Sequence, residues 1–202
     1  QARGGKLVVI DPRRTETAQV ATEHHGIQPS TDALFLAALL NTIFVEELSK
    51  LDKLTLPANG LGEVQAAVST FSAEVVAETV GIAAKDIKRI AREFAAADQA
   101  ICYGRMGVST QSFGTLNHWL IQVLNIVTGN LNRQGGVMFS HPAVNDFAKT
   151  RPGKISRFKS RVSGKPEFSG ELPVIALAEE ILTPGKDQIR ALFTCAGNPV
   201  LS

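Results

Sequence analysis

Short apolar runs alternate with longer amphipathic runs along this chain of 202 residues. The runs at residues 6–10, 100–103 and 189–195 are continuous and apolar, which is typical of strands that are buried on both faces of a parallel sheet. Residues 33–48 and 84–97 instead repeat apolar side chains at helical spacing. The pattern therefore predicts an α/β fold in which helices flank a parallel sheet.

A polar turn follows each predicted strand. These turns are residues 11–13, the glycine-bearing loop 104–111, and residues 197–199. Because helices connect the strands, right-handed crossovers would make the strands parallel and would bring the turns to one edge of the sheet. Ligands of open α/β sheets bind at that edge, so the sequence predicts a nucleotide-like ligand there.

The loop at residues 104–111 carries Gly104 and Gly107 and precedes a helical run over residues 112–128, which Gly129 ends. Glycines let a backbone approach a ligand closely, and a helix start attracts phosphate. The same pattern also forms ordinary tight turns, so both interpretations stay open on these residues alone. A Gly-x-Gly-x-x-Gly fingerprint does not occur in the sequence, which disfavours a stand-alone nicotinamide-dependent enzyme.

Two polar groups near predicted helix starts each have a simple structural interpretation beside a functional one. Asp11 can cap the following helix while Arg13 stays solvated, or both can face a ligand. Ser30 or Thr31 can cap the helix that begins near residue 33, and Asp32 suits its first turn. Both interpretations remain open.

Composition limits the class of protein. The chain is 44% apolar with a net charge of +2, which fits a globular protein and gives no reason to expect nucleic acid or a membrane span. Cys102 and Cys195 lie in predicted strands and are expected to be buried thiols. There is no Cys-x-x-Cys motif to hold zinc or an iron–sulfur cluster. Both ends of the chain read as if cut from a longer protein.

Residues 135–170 differ in character from the rest, and we expect an irregular basic arm there. This arm is rich in Gly, Pro and Ser, and its stretch over residues 149–165 has no acidic residue. The stretch carries seven basic side chains: Lys149, Arg151, Lys154, Arg157, Lys159, Arg161 and Lys165. It is either an excursion that packs on a neighbouring domain or a binding surface for an acidic partner or nucleic acid.

Several of these motifs occur together in a known order. KLVVIDPRRTETA, Ser30-Thr31-Asp32, GRMGVSTQSFG followed by TGNLNRQGG, and the closing AGNPVLS succeed one another along the chain. This order resembles the molybdopterin oxidoreductases, the molybdenum or tungsten enzymes with bis-molybdopterin guanine dinucleotide. The group includes formate dehydrogenases, periplasmic nitrate reductases and dimethyl sulfoxide reductase. The resemblance covers nearly the whole chain.

The resemblance implies a single Rossmann-like domain over residues 1–202 that binds one guanine dinucleotide arm of the cofactor. It places Asp11, Pro12 and Arg13 beside the guanosine. It implies that Thr31 and Asp32 hydrogen-bond the guanine or its ribose. A carboxylate can accept from guanine N1–H and N2–H₂ together. The remaining cofactor-binding residues that it implies line the pyrophosphate and pterin or follow the last strand: Gly104, Met106, Gly107, Thr110, Gln111 and Asn198. Many relatives carry Gln at the position of Thr110, where this chain has Gln111 one place later.

The resemblance also implies what lies outside this chain. The iron–sulfur segment and the metal-ligating residue of the family belong to an N-terminal part, and a cap domain follows C-terminally. We therefore expect an inactive fragment of an oxidoreductase whose partners are the remaining domains of the parent enzyme. We expect a cytoplasmic location, with the periplasm as the alternative. The competing hypothesis is a non-catalytic module that binds an acidic partner or nucleic acid through residues 149–165.

Overall fold

The computed structural model describes residues 4–54, 58–139, 155–168 and 170–195. The chain divides into two compact units, residues 1–139 and 140–202, and each is described by itself. In chain order the first unit contains β1 (Val8–Ile10), α1 (Glu16–Val20), β2 (Glu23–His25), α2 (Asp32–Val45), α3 (Leu61–Val68), α4 (Ala73–Val80), α5 (Ala84–Ala96), α6 (Met106–Ser109) and α7 (Gly114–Val127). The predicted mixed α/β class is confirmed, while the single-domain organisation over residues 1–202 stays a prediction.

A parallel pair of short strands forms the sheet of the first unit. β1 pairs with β2 in a register that sets Val8 beside Glu23 and Ile10 beside His25. Helix α1 connects them, and the Thr15 hydroxyl caps it by accepting from the Ala18 amide. The prediction of a parallel strand within residues 6–10 is correct. Its burial on both faces is wrong, because both strands are half-buried.

Helix α2 is the centre of the first unit. Residues 35–43 are all buried, and the helix packs against α3, α4, α5 and α7. A helix that is apolar on every side is stable only inside a core. Buried Asn41 uses its side-chain amide to donate to the carbonyls of Val68 (3.0 Å) and Ser69 (3.1 Å), where α3 ends. Since α2 begins at Asp32, this most enclosed helix also fixes the position of that carboxylate.

Residues 100–103, predicted as a buried strand, do not form one. The segment is irregular, and the side chains of Ile101 and Tyr103 are exposed. Two asparagine side chains, one near the C-terminal end of α7 and one just after this helix, hold the segment instead. Asn125 accepts from the Cys102 amide at 2.9 Å and donates to the Cys102 carbonyl at 2.9 Å, while Asn130 accepts from the Ala100 amide at 3.2 Å. An apolar run identifies a buried strand only when a second strand lies beside it, and no described strand does.

The glycine-bearing loop contains the one-turn helix α6, and α7 starts at Gly114 rather than at residue 112. A Cβ on Gly114 would overlap the carbonyl of Ser109, so glycine is what allows α6 and α7 to approach. Gly129 follows α7 with a φ of +71°, as expected of a left-handed residue at a helix end. A Cβ there would lie 2.6 Å from the Lys50 carbonyl oxygen.

The second unit contains a hairpin where the sequence predicted an irregular arm. β3 (Ile155–Lys159) pairs antiparallel with β4 (Pro166–Phe168), and a 3₁₀ turn leads into α8 (Leu177–Leu182). The prediction of irregular structure over residues 135–170 is therefore wrong for the hairpin. The basic positions from residue 149 to 154 lie outside the described residues.

Residues 189–195 do not form the predicted final buried strand. The segment is irregular throughout and is exposed from residue 190 onward, with Phe193 93% exposed and Cys195 exposed as well. Within the described residues no strand pairs with this apolar run. The expectation of a buried thiol is thus wrong for Cys195. In the described parts of the chain, no helix has both the length and the apolar character needed to cross a bilayer.

Candidate functional site

The start of α2 and the loop after α6 meet at a pair of polar side chains. Gln111 donates from Nε2 to Oδ2 of Asp32 across 2.9 Å, and from the same nitrogen to the Gly107 carbonyl across 2.7 Å. Asp32 and Gln111 are 79 positions apart in sequence. The structure thus brings together three residues that the sequence analysis assigned to one site, namely Asp32, Gly107 and Gln111.

The orientation of the Gln111 amide follows from its partners. A carboxylate and a carbonyl can only accept, so the nitrogen must face both of them. The other end of the amide, Oε1, is buried and has no hydrogen-bond partner among the described residues. A buried acceptor without a donor costs free energy. The ligand-binding capacity of the pair therefore lies with the half-buried Asp32 carboxylate, which can accept from a ligand that carries N–H groups.

The two glycines of the loop differ in what surrounds them. A Cβ on Gly104 would lie 2.5 Å from Cγ2 of Val108 and 2.7 Å from Cδ1 of Ile121, so this glycine serves close packing. Around Gly107 a Cβ would meet nothing within 4 Å. Gly107 is exposed, so another molecule can approach the backbone there.

The turn after β1 lies at the carboxyl edge of the sheet. Asp11 accepts from the Arg13 amide at 2.8 Å, and the His24 ring nitrogen bonds to the Asp11 carbonyl at 2.9 Å. Arg13 and Arg14 are exposed, and neither has an ion-pair partner within the described ranges. Because β1 and β2 are parallel, the segment that leaves β2 toward Asp32 starts from this same edge. Two unpaired cations at that edge favour an anionic ligand.

The remaining predicted site residues make local contacts or lie elsewhere. The Thr31 hydroxyl donates to the Gln28 carbonyl at 2.7 Å, and the Thr110 hydroxyl donates to the Met106 carbonyl at 2.9 Å. Pro12 and Met106 are exposed, at the β1 turn and at the start of α6. Asn198 lies outside the described residues.

A serine–histidine pair that the sequence analysis did not single out sits beside the same loop. Ser109 Oγ lies 2.7 Å from His118 Nε2 and also 3.0 Å from the Arg105 carbonyl. The hydroxyl has one proton, and the carbonyl can only accept it, so the imidazole nitrogen is the donor toward Oγ. A histidine that donates to a serine does not activate it as a nucleophile. This pair joins α6 to α7 and does not constitute a hydrolytic dyad.

Three buried asparagines also escaped the sequence analysis. Asn117, Asn125 and Asn130 are 0–1% exposed, and each bonds to a backbone segment or to the end of α7. The signal in the sequence was their spacing. Asn117 and Asn125 are eight positions apart, which puts amides on the same buried face as the apolar stripe of α7. Polar residues on a buried stripe predict that another backbone segment docks there.

An ion-pair cluster joins β2 to α5. Glu23 accepts from Arg89 at 2.7 Å and pairs with Lys6 at 2.5 Å and with the His25 ring at 3.1 Å. The Arg89 guanidinium, followed by Lys6 and His25, lowers the pKa of Glu23 to about 2. In the described chain no group of three or more His, Cys, Asp or Glu side chains could hold a metal ion. The histidines at positions 24 and 25 thus take part in the sheet edge and this cluster.

The sequence of this chain is similar to sequences of known proteins. The molybdopterin oxidoreductase family matches residues 1–202, the whole chain. The chain is similar to the F420-dependent formate dehydrogenase 2 subunit alpha of Methanococcus maripaludis, with 33% identity over 132 residues, which cover 65% of this chain and 20% of that protein. It is also similar to the periplasmic nitrate reductase of Desulfovibrio desulfuricans, with 30% identity over 147 residues, which cover 68% of this chain and 19% of that protein.

A solved structure extends the likeness to three dimensions. Acetylene hydratase from Pelobacter acetylenicus superposes with a TM-score of 0.60 and 27% sequence identity, over 63% of this chain and 18% of that one. The chain therefore spans about a fifth of the length of the relatives that it matches. With the family match extending over every residue, this chain belongs to the molybdopterin oxidoreductase family.

Proposed function

We propose that residues 1–202 form the Rossmann-like part of a molybdenum or tungsten oxidoreductase that binds one guanine dinucleotide arm of a bis-molybdopterin cofactor. The observation that carries this proposal is the junction between Asp32 and Gln111, where the Gln111 amide ties the Asp32 carboxylate oxygens at the start of α2 to the loop that contains Gly107. The donor edge of guanine is complementary to such acceptors. The family's formate dehydrogenase and nitrate reductase relatives support the oxidoreductase class.

The other predicted site residues would contact the rest of the same ligand. We place Arg13, which has no ion-pair partner among the described residues, beside the guanosine part, and the open space at Gly107 suits close approach of the pyrophosphate oxygens. Asp11, Pro12, Thr31, Gly104, Met106, Thr110 and Asn198 remain proposed contacts. When bound, the metal and its dithiolenes supply the redox chemistry, while these residues bind and orient.

The fragment alone should not turn over substrate, because we place the metal-ligating residue and the iron–sulfur segment in the parent enzyme's N-terminal part. The remaining domains of that enzyme are then its partners. We place the parent enzyme in the cytoplasm, with the periplasm as the alternative.

The second candidate, a module that binds nucleic acid or an acidic partner through residues 149–165, receives less support. Arg157 is paired with buried Glu167 at 2.7 Å, and Arg161 is paired with Glu180 at 3.1 Å. The hydrogen bond from the Arg157 side chain is the main cause that lowers the pKa of Glu167 to about 2. Guanidinium groups that are already held by carboxylates inside their own fold are poorly available to phosphates.

Calorimetric titration of the purified chain with guanosine diphosphate tests the first proposal. We expect saturable binding that Asp32→Ala weakens at least tenfold, because the variant loses a charged acceptor. Asp52→Ala, which removes an exposed carboxylate from a 3₁₀ turn, is the matched control and should bind as the wild type does. Equal affinities of Asp32→Ala and wild type would contradict the assignment. Steep salt-dependent binding of an oligonucleotide would favour the second candidate.

A further inference from the structure

We infer that the second unit binds another domain of the parent enzyme through an outer apolar face, and that residues 189–195 pair there with a strand of that domain. The outer apolar face consists of large exposed side chains: Val174, Ile175, Leu182, Leu192 and Phe193. The inference rests on the proposed function, which gives this chain a parent enzyme with further domains. It deepens that function by naming the surface that such a domain covers.

The buried side chains of the second unit are mostly polar. Among its residues whose burial is described, Ala176 alone is a buried apolar residue, whereas Ser160, Glu167 and Glu180 are buried. The Glu167 carboxylate pairs with the Arg157 guanidinium at 2.7 Å and accepts from the Arg157 amide at 3.1 Å. Such contacts fix the hairpin, but they remove little apolar surface from water. The unit therefore lacks the apolar core that normally stabilises a compact unit of its size.

Helix α8 attaches to the hairpin by a carboxylate and not by its apolar side chains. Glu180, the one buried residue of the helix, accepts from the Arg161 guanidinium at 3.1 Å and from the Val162 amide at 3.0 Å. The large apolar side chains at the end of α8 and in the 3₁₀ turn before it are 74–82% exposed: Val174, Ile175 and Leu182. A short helix that buries a carboxylate and exposes aliphatic side chains reverses the usual pattern of a surface helix. Exposed apolar groups of this kind mark a surface that another protein segment covers.

Residues 189–195 begin beside α8 and continue as an exposed apolar run. The Ile189 amide donates to the Glu180 carbonyl at 3.3 Å, and Leu192 and Phe193 then follow with 53% and 93% of their surfaces exposed. Successive side chains of a strand point to opposite sides, so adjacent apolar residues are typical of a strand that is covered on both faces. No described strand pairs with the run. Its backbone is thus available to a strand from outside the chain.

Another domain of the same parent enzyme is the partner that fits this surface. Interfaces between permanently associated partners are apolar and resemble a domain core that has been cut in two. The chain spans about a fifth of the length of the relatives that it matches. An enzyme of their length therefore has further domains that remain beside this unit. The complementary surface on that domain is apolar and has an unpaired strand edge.

Cys195 reports on the covered state, because it lies at the end of the run and is exposed in this chain. The experiment compares the 202-residue chain with the complete parent enzyme by alkylation of Cys195 and by hydrogen exchange at residues 190–195. We expect alkylation and exchange each to be about a hundredfold slower in the parent enzyme, since a covered thiol and paired amides are both protected. Peptide mapping by mass spectrometry assigns the modified cysteine.

Equal rates of alkylation and exchange in the two proteins overturn the inference. Slow alkylation in the 202-residue chain, together with a dimer in sedimentation, also overturns it, because a second copy would then cover the surface. Neither result affects the binding of guanosine diphosphate by the chain. The proposed function is therefore tested separately by the nucleotide titration.

Substitutions on the outer apolar face should act only in the parent enzyme. In the 202-residue chain, Ile175→Lys and Phe193→Lys replace exposed side chains, so the midpoint of thermal unfolding should stay within about 1 °C of the wild type. In the parent enzyme the same lysines would be buried without a partner, and limited proteolysis should cut the second unit about tenfold faster. Glu171→Lys, at an exposed polar position, is the control and should be neutral in both proteins. Wild-type protease resistance of both variants in the parent enzyme would contradict the inference.

Discussion

The side chain of Asn125 makes both hydrogen bonds that a neighbouring strand would make to Cys102, at 2.9 Å to its amide and 2.9 Å to its carbonyl. A helix residue thus substitutes for a strand and holds the segment that leads into the site loop. Asn125 is fully buried, and the same amide also donates to the Ile121 carbonyl at 2.9 Å within α7. The path of residues 100–103 therefore depends on α7.

Replacing that amide should release the segment. We expect Asn125→Leu to lower the free energy of unfolding by roughly 2–4 kcal/mol, since it leaves buried backbone groups at Cys102 without partners. Hydrogen exchange at the Cys102 amide should accelerate at least tenfold. Chemical denaturation and exchange mass spectrometry measure the two effects. Exposed Gln122→Leu on the same helix should change neither, and slow exchange at Cys102 in Asn125→Leu would refute the account.

The Glu23 cluster should make stability depend on pH in the acid range. The pKa of the Glu23 carboxyl falls from the ordinary 4.5 to about 2 in the folded chain. A carboxyl with a lowered folded pKa stabilises the fold above its unfolded pKa, and that contribution is lost as the pH falls from about 4.5 toward 2. We expect Glu23→Gln to cost about 1–3 kcal/mol at pH 7 and to differ little from wild type near pH 2.

Urea denaturation at a series of pH values measures this difference. Glu78→Gln, on the exposed side of α4, is the control and should follow the wild-type curve. A constant difference between Glu23→Gln and wild type from pH 7 to pH 2 would show that the variant perturbs packing and not ionisation.

The two cysteines should react very differently with a thiol reagent. Burial raises the pKa of the Cys102 thiol to about 12, so its thiolate is scarce at neutral pH, whereas Cys195 is exposed. We expect one fast-reacting thiol in the native chain and a second only after unfolding. Cys195→Ser should abolish the fast phase, and Cys102→Ser should leave it unchanged. A fast phase that survives Cys195→Ser would contradict the shielding of the half-buried Cys102 thiol.

The helices were predicted well because the spacing of apolar residues and the terminal glycines that indicate a helix lie within one short segment of the chain. The amphipathic stripe of residues 84–97 became α5, and the glycine at 129 adopted the left-handed conformation expected at a helix end. Strands were harder, since a strand is completed by a partner far away in sequence. Residues 100–103 and 189–195 are apolar enough for strands, yet asparagine side chains hold the first and no described strand pairs with the second.

The site residues also divide into those that the sequence predicts and contacts that only the folded chain shows. Asp32, Gly107 and Gln111 were predicted through a family resemblance, and their proximity appears only when two chain segments 79 positions apart are folded together. The unpartnered oxygen of Gln111 and the direction of the Ser109–His118 bond were beyond sequence reasoning. Both depend on which atoms lie within hydrogen-bond distance and not on residue type.

The enclosure of α2 also determines how this part of the protein could be redesigned. Sliding the helix by a single residue would turn Asp32 by about 100° and expose side chains that are now packed on all sides, so the carboxylate cannot be moved gradually. Residues 104–113 are mostly exposed, and apart from the tightly packed Gly104 they are held by a few hydrogen bonds such as Gln111 to Asp32 and Ser109 to His118. An engineer seeking a new specificity should therefore rebuild that loop and leave the helix untouched.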